Sequence, residues 1–248
     1  MELIKGIKAI DLGLWVDSCK TLVLADFHLG YEEELNQKGI LIPRTLYKDV
    51  IDRLEKIFAE INSKISTIII NGDLKHEFGR ISSQEWQEVM RLLTYLGRKC
   101  DKIVLVRGNH DTILGPIADK QKIKIVDELI LDFTDEKGKK NEIVITHGHK
   151  EPKEIKDIII IGHEHPAIGL QEDARREKYK CYLLGKYRGK ILIVQPSFNL
   201  LNEGTDVLFN ELLSPLLDDV SKFKLFIVDE KRKKILDFGK VKEWNTGQ

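Results

Sequence analysis

The seven histidines of this 248-residue chain fall in five short loops, and that placement constrains the fold more than any other feature. The loops are Asp26-Phe27-His28, Gly72-Asp73-Leu74-Lys75-His76, Gly108-Asn109-His110-Asp111, Thr146-His147-Gly148-His149 and Gly162-His163-Glu164-His165. Four of the five also offer an Asp, Asn or Glu. Histidines placed at random would scatter over surface and core. Imidazole and carboxylate together are the donor set of borderline divalent metals. The pattern predicts a metal site holding more than one ion, built from loops that the fold brings to one place. Glycines beside these donors allow tight turns and a close approach of the backbone to an ion.

Apolar runs lead into the loops. Leu14-Trp15-Val16 and Thr21-Leu22-Val23-Leu24 predict a hairpin turning near Asp17-Ser18 and feeding Asp26. A helix is expected from about Pro43, with Leu46, Val50, Leu54, Ile57, Phe58 and Ile61 on one face. Thr67-Ile68-Ile69-Ile70 reads as a strand buried on both faces that delivers Asp73. A second helix is expected over Gln84 to Arg98, with Trp86, Val89, Met90 and Leu93 inward, before Ile103 to Val106 delivers Asn109. Beyond residue 120 the texture turns to strands: Ile123 to Val126, Leu129 to Phe133, Ile143 to Ile145, Ile158 to Ile161, Ile191 to Val194, Leu225 to Val228 and Ile235 to Phe238. Lys137-Gly138 fits a hairpin turn among them. The expected fold is α/β: two packed mixed β-sheets flanked by helices, an αββα sandwich, forming a single domain over residues 1–248.

Composition narrows the class. Lys+Arg and Asp+Glu are both 40, so net charge argues neither for nor against nucleic acid. Only the segment from Arg175 to Lys190 is locally basic, with Arg175, Arg176, Lys178, Lys180, Lys186, Arg188 and Lys190 interleaved with Tyr179, Tyr182 and Tyr187. Cations on phosphates and aromatics on bases would make it a single-strand binding face; a solvated hairpin face explains it as well. Cys19, Cys100 and Cys181 are isolated, which fits reduced thiols in a cytoplasmic protein. The first twenty residues lack a signal segment, and no apolar run reaches the length of a membrane span. Asp237-Phe238-Gly239 spells a kinase motif, but no catalytic or glycine-rich loop accompanies it, and it reads as a strand end.

Asp-x-His, Gly-Asp, Gly-Asn-His-Asp, His and Gly-His-x-His in this order resemble the calcineurin-like metallophosphoesterases. Gly72 to Gly79, Ile161 to Ala167 and Arg176 to Cys181 are similar to archaeal SbcD-related phosphoesterases, and Ala25 to Glu32 to bacterial ligase-associated phosphoesterases. The resemblance implies two divalent ions, with manganese favoured over iron, zinc, nickel or cobalt. Asp26, His28 and His165 would hold one; Asn109, His147 and His163 the other; Asp73 would bridge. A hydroxide between the ions would attack phosphorus in line.

By the same resemblance His110, next to a ligand, would stabilise the transition state and protonate the leaving oxygen. Asp111 has two readings, orienting that imidazole or capping a helix, and His149 could line the site or satisfy a turn. His76 stands where the protein Ser/Thr phosphatases of the superfamily carry an Asp, which argues against a phosphoprotein substrate. It would help place a nucleic-acid strand, as in some SbcD-type nucleases, or bond a ligand from behind. Lys75 and Arg107, flanking two motifs, are placed to meet a substrate phosphate or to pair with a carboxylate. The expected activity is a two-metal phosphodiesterase acting on DNA or RNA in repair or processing. The competing readings are a phosphatase or phosphodiesterase for small nucleotides and an inactive scaffold.

Overall fold

The computed structural model describes residues 1–77, 81–135, 138–172, 175–209 and 211–244, with the side chains of residues 171, 172, 175 and 176 outside the description. Lys137 of the expected turn, Phe78 and Gly79 of the second motif, and the side chains of Arg175 and Arg176 therefore lie outside the described residues.

The first sheet starts with four antiparallel strands, β1 (Glu2–Ile4), β2 (Ile7–Ile10), β3 (Gly13–Val16) and β4 (Thr21–Ala25). It continues in parallel through β5 (Ile65–Asn71), β6 (Cys100–Val106) and β7 (Lys124–Val126). Every residue of β4 is buried, as are Ile68 to Asn71 of β5, because parallel strands are covered on both faces. The expected hairpin is present, with Leu14 opposite Val23 and Val16 opposite Thr21. β1 and β2 were not foreseen from the mixed polar and apolar residues at the N-terminus.

Four helices link these strands: α1 (Tyr31–Gln37), α2 (Leu46–Glu60), α3 (Ser83–Leu96) and α4 (Gly115–Gln121). Leu46, Val50, Leu54 and Ile57 of α2 repeat at three- to four-residue spacing and bury one face in the core, where Val89, Leu92, Leu93 and Leu96 of α3 join them. α2 begins three residues after Pro43, and the Glu32 carboxylate receives its first amide, that of Leu46. α3 is capped by the Ser82 hydroxyl, which accepts from Glu85 N at 3.0 Å.

The second sheet contains β8 (Glu128–Thr134), β9 (Lys140–Thr146), β10 (Ile158–Ile161), β11 (Pro166–Glu172), β12 (Arg175–Tyr187), β13 (Lys190–Val194), β14 (Thr205–Asp206), β15 (Lys224–Asp229) and β16 (Lys234–Lys240). Its central strands β9, β10 and β13 are parallel, and β12 runs antiparallel between β13, β11 and β15. Strand periodicity divides its side chains between two apolar clusters. Ile143, Ile145, Ile158, Ile160, Tyr182 and Ile193 face the first sheet. Val144, Ile159, Ile161, Leu183, Leu192 and Val194 face the opposite side, closed over by Leu216, Leu217, Val220 and Phe223. The result is the expected pair of mixed sheets flanked by helices. No described helix is long and apolar enough to cross a membrane.

Candidate metal centre

The five histidine loops meet at one edge of the seam between the sheets. β4, β5 and β6 stand in parallel register, Ala25 beside Asn71 beside Val106, so Asp26, Asp73 and Asn109 emerge side by side. β9 and β10 end at the same level in the other sheet and present His147, His163 and His165. Backbone hydrogen bonds stitch the loops together: Asp26 N to Gly72 O (3.2 Å), His28 N to Asp73 O (2.9 Å) and Gly162 N to His147 O (2.9 Å). Asp26, His28, Asp73, His163 and His165 all have positive φ, between 45° and 63°. Non-glycine residues adopt this left-handed conformation at a cost, and such outliers collect at functional sites.

The side chains converge. The Asp73 Oδ2 atom lies 3.6 Å from His28 Nε2 and 3.3 Å from His147 Nε2. Asp26 Oδ1 lies 3.5 Å from His165 Nε2 and 3.4 Å from His147 Nδ1. Asn109 Oδ1 is 2.9 Å from His147 Nε2, which is 3.2 Å from His163 Nδ1. His28 and His165 face one another through their Nε2 atoms at 3.4 Å. Among the described residues three groups have donor atoms within 4.8 Å of one another: Asp26, His28 and His165; Asp73, His147 and His163; and His28, His76 and His110. All seven residues expected to bind metal are thus brought together.

These residues fit divalent cations. Asp26 Oδ1 is buried without a hydrogen-bond partner, an arrangement that costs stability unless a cation compensates. Two glycines give the donors room: a Cβ on Gly72 would sit 2.0 Å from His147 Nδ1, and one on Gly108 would sit 2.1 Å from Asp73 Oδ1. Electrostatics point the same way. Burial alone would lower the His147 imidazole, but the Asp73 and Asp26 carboxylates outweigh it and raise its pKa to about 9. Burial would raise Asp73, yet His147 and its neighbours hold it below the ordinary carboxylate range. Burial, and then the neighbouring His147, push His163 down to about 4. The carboxylates therefore concentrate negative potential in the cavity, strong enough to draw positive charge onto buried His147 while His163 stays neutral, and such a field suits a divalent cation.

The remaining expected residues divide. His110 donates its amide to Asp73 Oδ1 (2.9 Å) and its Nδ1–H to the His76 carbonyl. His76 lies 3.2 Å from His28, Nδ1 to Nδ1, pairs through Nε2 with Glu34 and packs against Tyr31 with ring centroids 4.5 Å apart. Its side chain is thus engaged behind His28, favouring support of a neighbour over strand placement. Asp111 turns its carboxylate to the backbone. Its oxygens accept backbone amides from Leu74 (3.1 Å) and Gly108 (2.9 Å), which fastens two loops and leaves the His110 ring to other partners. Burial, then the Asp73 charge, raises its pKa to about 6. His149 packs against His147 and His163, with its Nδ1 buried and without a hydrogen-bond partner.

Of the two cations flanking the motifs, Lys75 is turned inward and Arg107 takes the carboxylate pairing. Lys75 is buried, and its amine is turned onto the Glu77 carbonyl. Arg107 is exposed, 3.9 Å from Asp127. The basic segment is also not one surface. Lys180 and Tyr182 point into the interior, Arg188 pairs with Glu151 (3.1 Å) and Lys190 with Asp157 (2.9 Å). Sequence reasoning missed Glu34 and Glu85, the latter accepting the His76 amide at 2.8 Å; neither stands in a recognisable motif.

Residues 19–179 match the sequence model of the calcineurin-like phosphoesterases. The chain belongs to that family. It is a metal-dependent phosphoesterase, and its fold is that of nuclease MPE from Pseudomonas putida, at 18% identity over 94% of this chain and 96% of that one, with a TM-score of 0.63. The phosphoesterase is also similar to Vps29 from Cryptosporidium parvum (14% identity, 89% of this chain and 97% of that, TM-score 0.40). Zinc-complexed Vps29 from Entamoeba histolytica gives 15% identity over 88% and 99%, with a TM-score of 0.38. No curated protein matches this phosphoesterase.

Proposed function

We propose that this phosphoesterase is a two-metal phosphodiesterase. Asp26, His28 and His165 would hold one ion, Asn109, His147 and His163 the other, and Asp73 would be shared. The observation that carries the reading is the position of Asp73 Oδ2, within 3.6 Å of His28 and 3.3 Å of His147, one nitrogen from each group. A carboxylate so placed serves two ions at once. Donors that mix imidazole with carboxylate and amide oxygen suit manganese, iron, zinc, nickel or cobalt, and manganese is the ion proposed. Bound ions would supply an acidified water near neutral pH and neutralise charge on the phosphate oxygens.

The chain's own residues do the rest. His110 donates its Nδ1–H to the His76 carbonyl, which directs Nε2 to the substrate as the proton donor for the leaving oxygen. Its amide bond to Asp73 ties that donor to the shared carboxylate. Asp111 keeps the loop in place, and His76 with Glu34 supports His28. The substrate proposed is a DNA or RNA phosphodiester. A small nucleotide diester stands beside it, because burial of Lys180 and Tyr182 and pairing of Arg188 and Lys190 diminish the expected nucleic-acid face. Three free thiols fit a reducing, cytoplasmic setting.

The test is a metal-screened panel containing a chromogenic diester, a chromogenic monoester, cyclic nucleotides and single-stranded DNA. Diester hydrolysis that exceeds monoester hydrolysis and requires added metal is expected. Asp73→Asn should abolish it and reduce bound metal without gross unfolding. Full activity of that variant with normal metal content would refute the assignment.

A further inference from the structure

β12 carries Lys180 into the interior, and its side chain lies beneath the segment that follows β13. The ammonium group donates to the carbonyls of Ser197 (2.9 Å) and Asn199 (2.8 Å). That segment is laced to the strand end that presents Asp26. Phe198 N donates to Ala25 O (2.8 Å), Asn199 N to Asp26 O (3.0 Å), and the Ser197 hydroxyl to the same Asp26 carbonyl (2.9 Å). The Phe198 ring stacks on Phe27, with centroids 4.7 Å apart. The peptide on which Asp26 sits is therefore gripped by residues whose own carbonyls are gripped by Lys180.

Asp26 has need of this. Its φ of 56° lies in the left-handed region, and such conformations persist only where the surroundings over-determine them. The His163 amide donates to its Oδ2 (3.1 Å), while its Oδ1 is buried without a hydrogen-bond partner, so the direction of that oxygen depends on how the Asp26 backbone is held. Burial, with Arg53 adding to it, lowers the Lys180 pKa to about 7, so the lysine is held in a place hostile to its charge. Its four-carbon stem spans from the second sheet to two carbonyls that would otherwise be buried without donors.

We propose that Lys180 is a positioning residue for Asp26, acting through residues 197–199 to hold the carboxylate where it meets an ion. The proposal rests on the reading of Asp26 as a metal ligand.

The experiment strips the 248-residue chain of metal and titrates it with manganese(II) by calorimetry, alongside a thermal melt of the stripped protein. The wild type should take up two ions. Lys180→Met should keep the wild-type circular dichroism spectrum but bind one ion about 10- to 100-fold more weakly, the range for residues that orient a ligand. Excess manganese should restore its kcat, with KM for a chromogenic diester unchanged. Tyr182→Phe, a buried neighbour on the same strand without a link to Asp26, should lower the melting temperature and leave both affinities intact. Ser197→Ala, which removes the hydroxyl bond to Asp26, should weaken the same ion as Lys180→Met does.

Wild-type affinity in Lys180→Met beside a two-ion wild type overturns this proposal alone, as does an equal loss in Tyr182→Phe. If Lys180→Met does not fold, Ser197→Ala decides, and unchanged affinity there overturns it. A wild type that takes up no manganese overturns the metal reading and this proposal with it.

Discussion

His110 shows how a residue's task follows from its bonds. One ring nitrogen is committed to the His76 carbonyl and the amide to Asp73, so on the proposed mechanism replacing the imidazole removes the proton donor without removing a metal ligand. His110→Asn should retain both ions and lower turnover by about 10²–10⁴, the range for a lost general acid. Diesters with poor leaving groups should suffer most; a uniform loss across leaving groups would point to phosphate binding instead of proton donation. The candidate ligands were legible because imidazole beside carboxylate is chemically distinctive. Lys180 was not, because a basic run reads alike whether its alternate residues face solvent or core. Only the register of β12, with Leu183 opposite Val194 and Cys181 opposite Ile227, tells the two apart. The amide bonds of Asp111 were hidden for a related reason: its neighbour in sequence is His110, but its oxygens accept two backbone amides from Leu74 and Gly108.

Strands and turns set the donors in place, and here steric room matters as much as chemistry. Gly108 has no left-handed torsion to protect, yet a Cβ there would lie 2.1 Å from Asp73 Oδ1 and 2.4 Å from Asp73 N. Gly108→Ala should therefore displace the shared carboxylate and lower metal affinity at least about tenfold. Gly115→Ala, at a position with nothing within 4 Å, is the matched control and should behave as wild type in the same titration. The strands that end at the site were readable because Ile, Val and Leu runs report burial on both faces. α1 was not, since Tyr31-Glu32-Glu33-Glu34-Leu35-Asn36-Gln37 has no apolar period; its helix is set by tertiary partners, with Glu32 receiving the Leu46 amide and Glu34 meeting His76. β12 was hidden by its charged residues: Glu177, Lys178 and Lys186 are exposed, while Lys180 on the same strand is buried.

Across the whole molecule, Tyr182 joins the sheets. Its hydroxyl, on the second sheet, donates to the Asp11 and Gly13 carbonyls of the first at 2.8 and 3.0 Å. Tyr182→Phe leaves those acceptors without that donor and should destabilise the protein by about 1–3 kcal/mol. Urea unfolding of the metal-free protein would measure this, and a change below about 0.5 kcal/mol would contradict it. The two-sheet architecture was legible from the succession of strands, while the bonds that lock one sheet to the other were not, because they depend on which faces meet. The metal centre straddles the same seam. Residues up to Val126 supply both aspartates, the asparagine, His28 and His110; the sheet that begins at Glu128 contributes only imidazoles, from His147, His163 and His165. Neither portion carries a complete donor set. On the proposed donor set, catalysis would be a coincidence detector for assembly: a chain with one sheet formed and the other still loose would be silent, and hydrolysis would report that the two have docked.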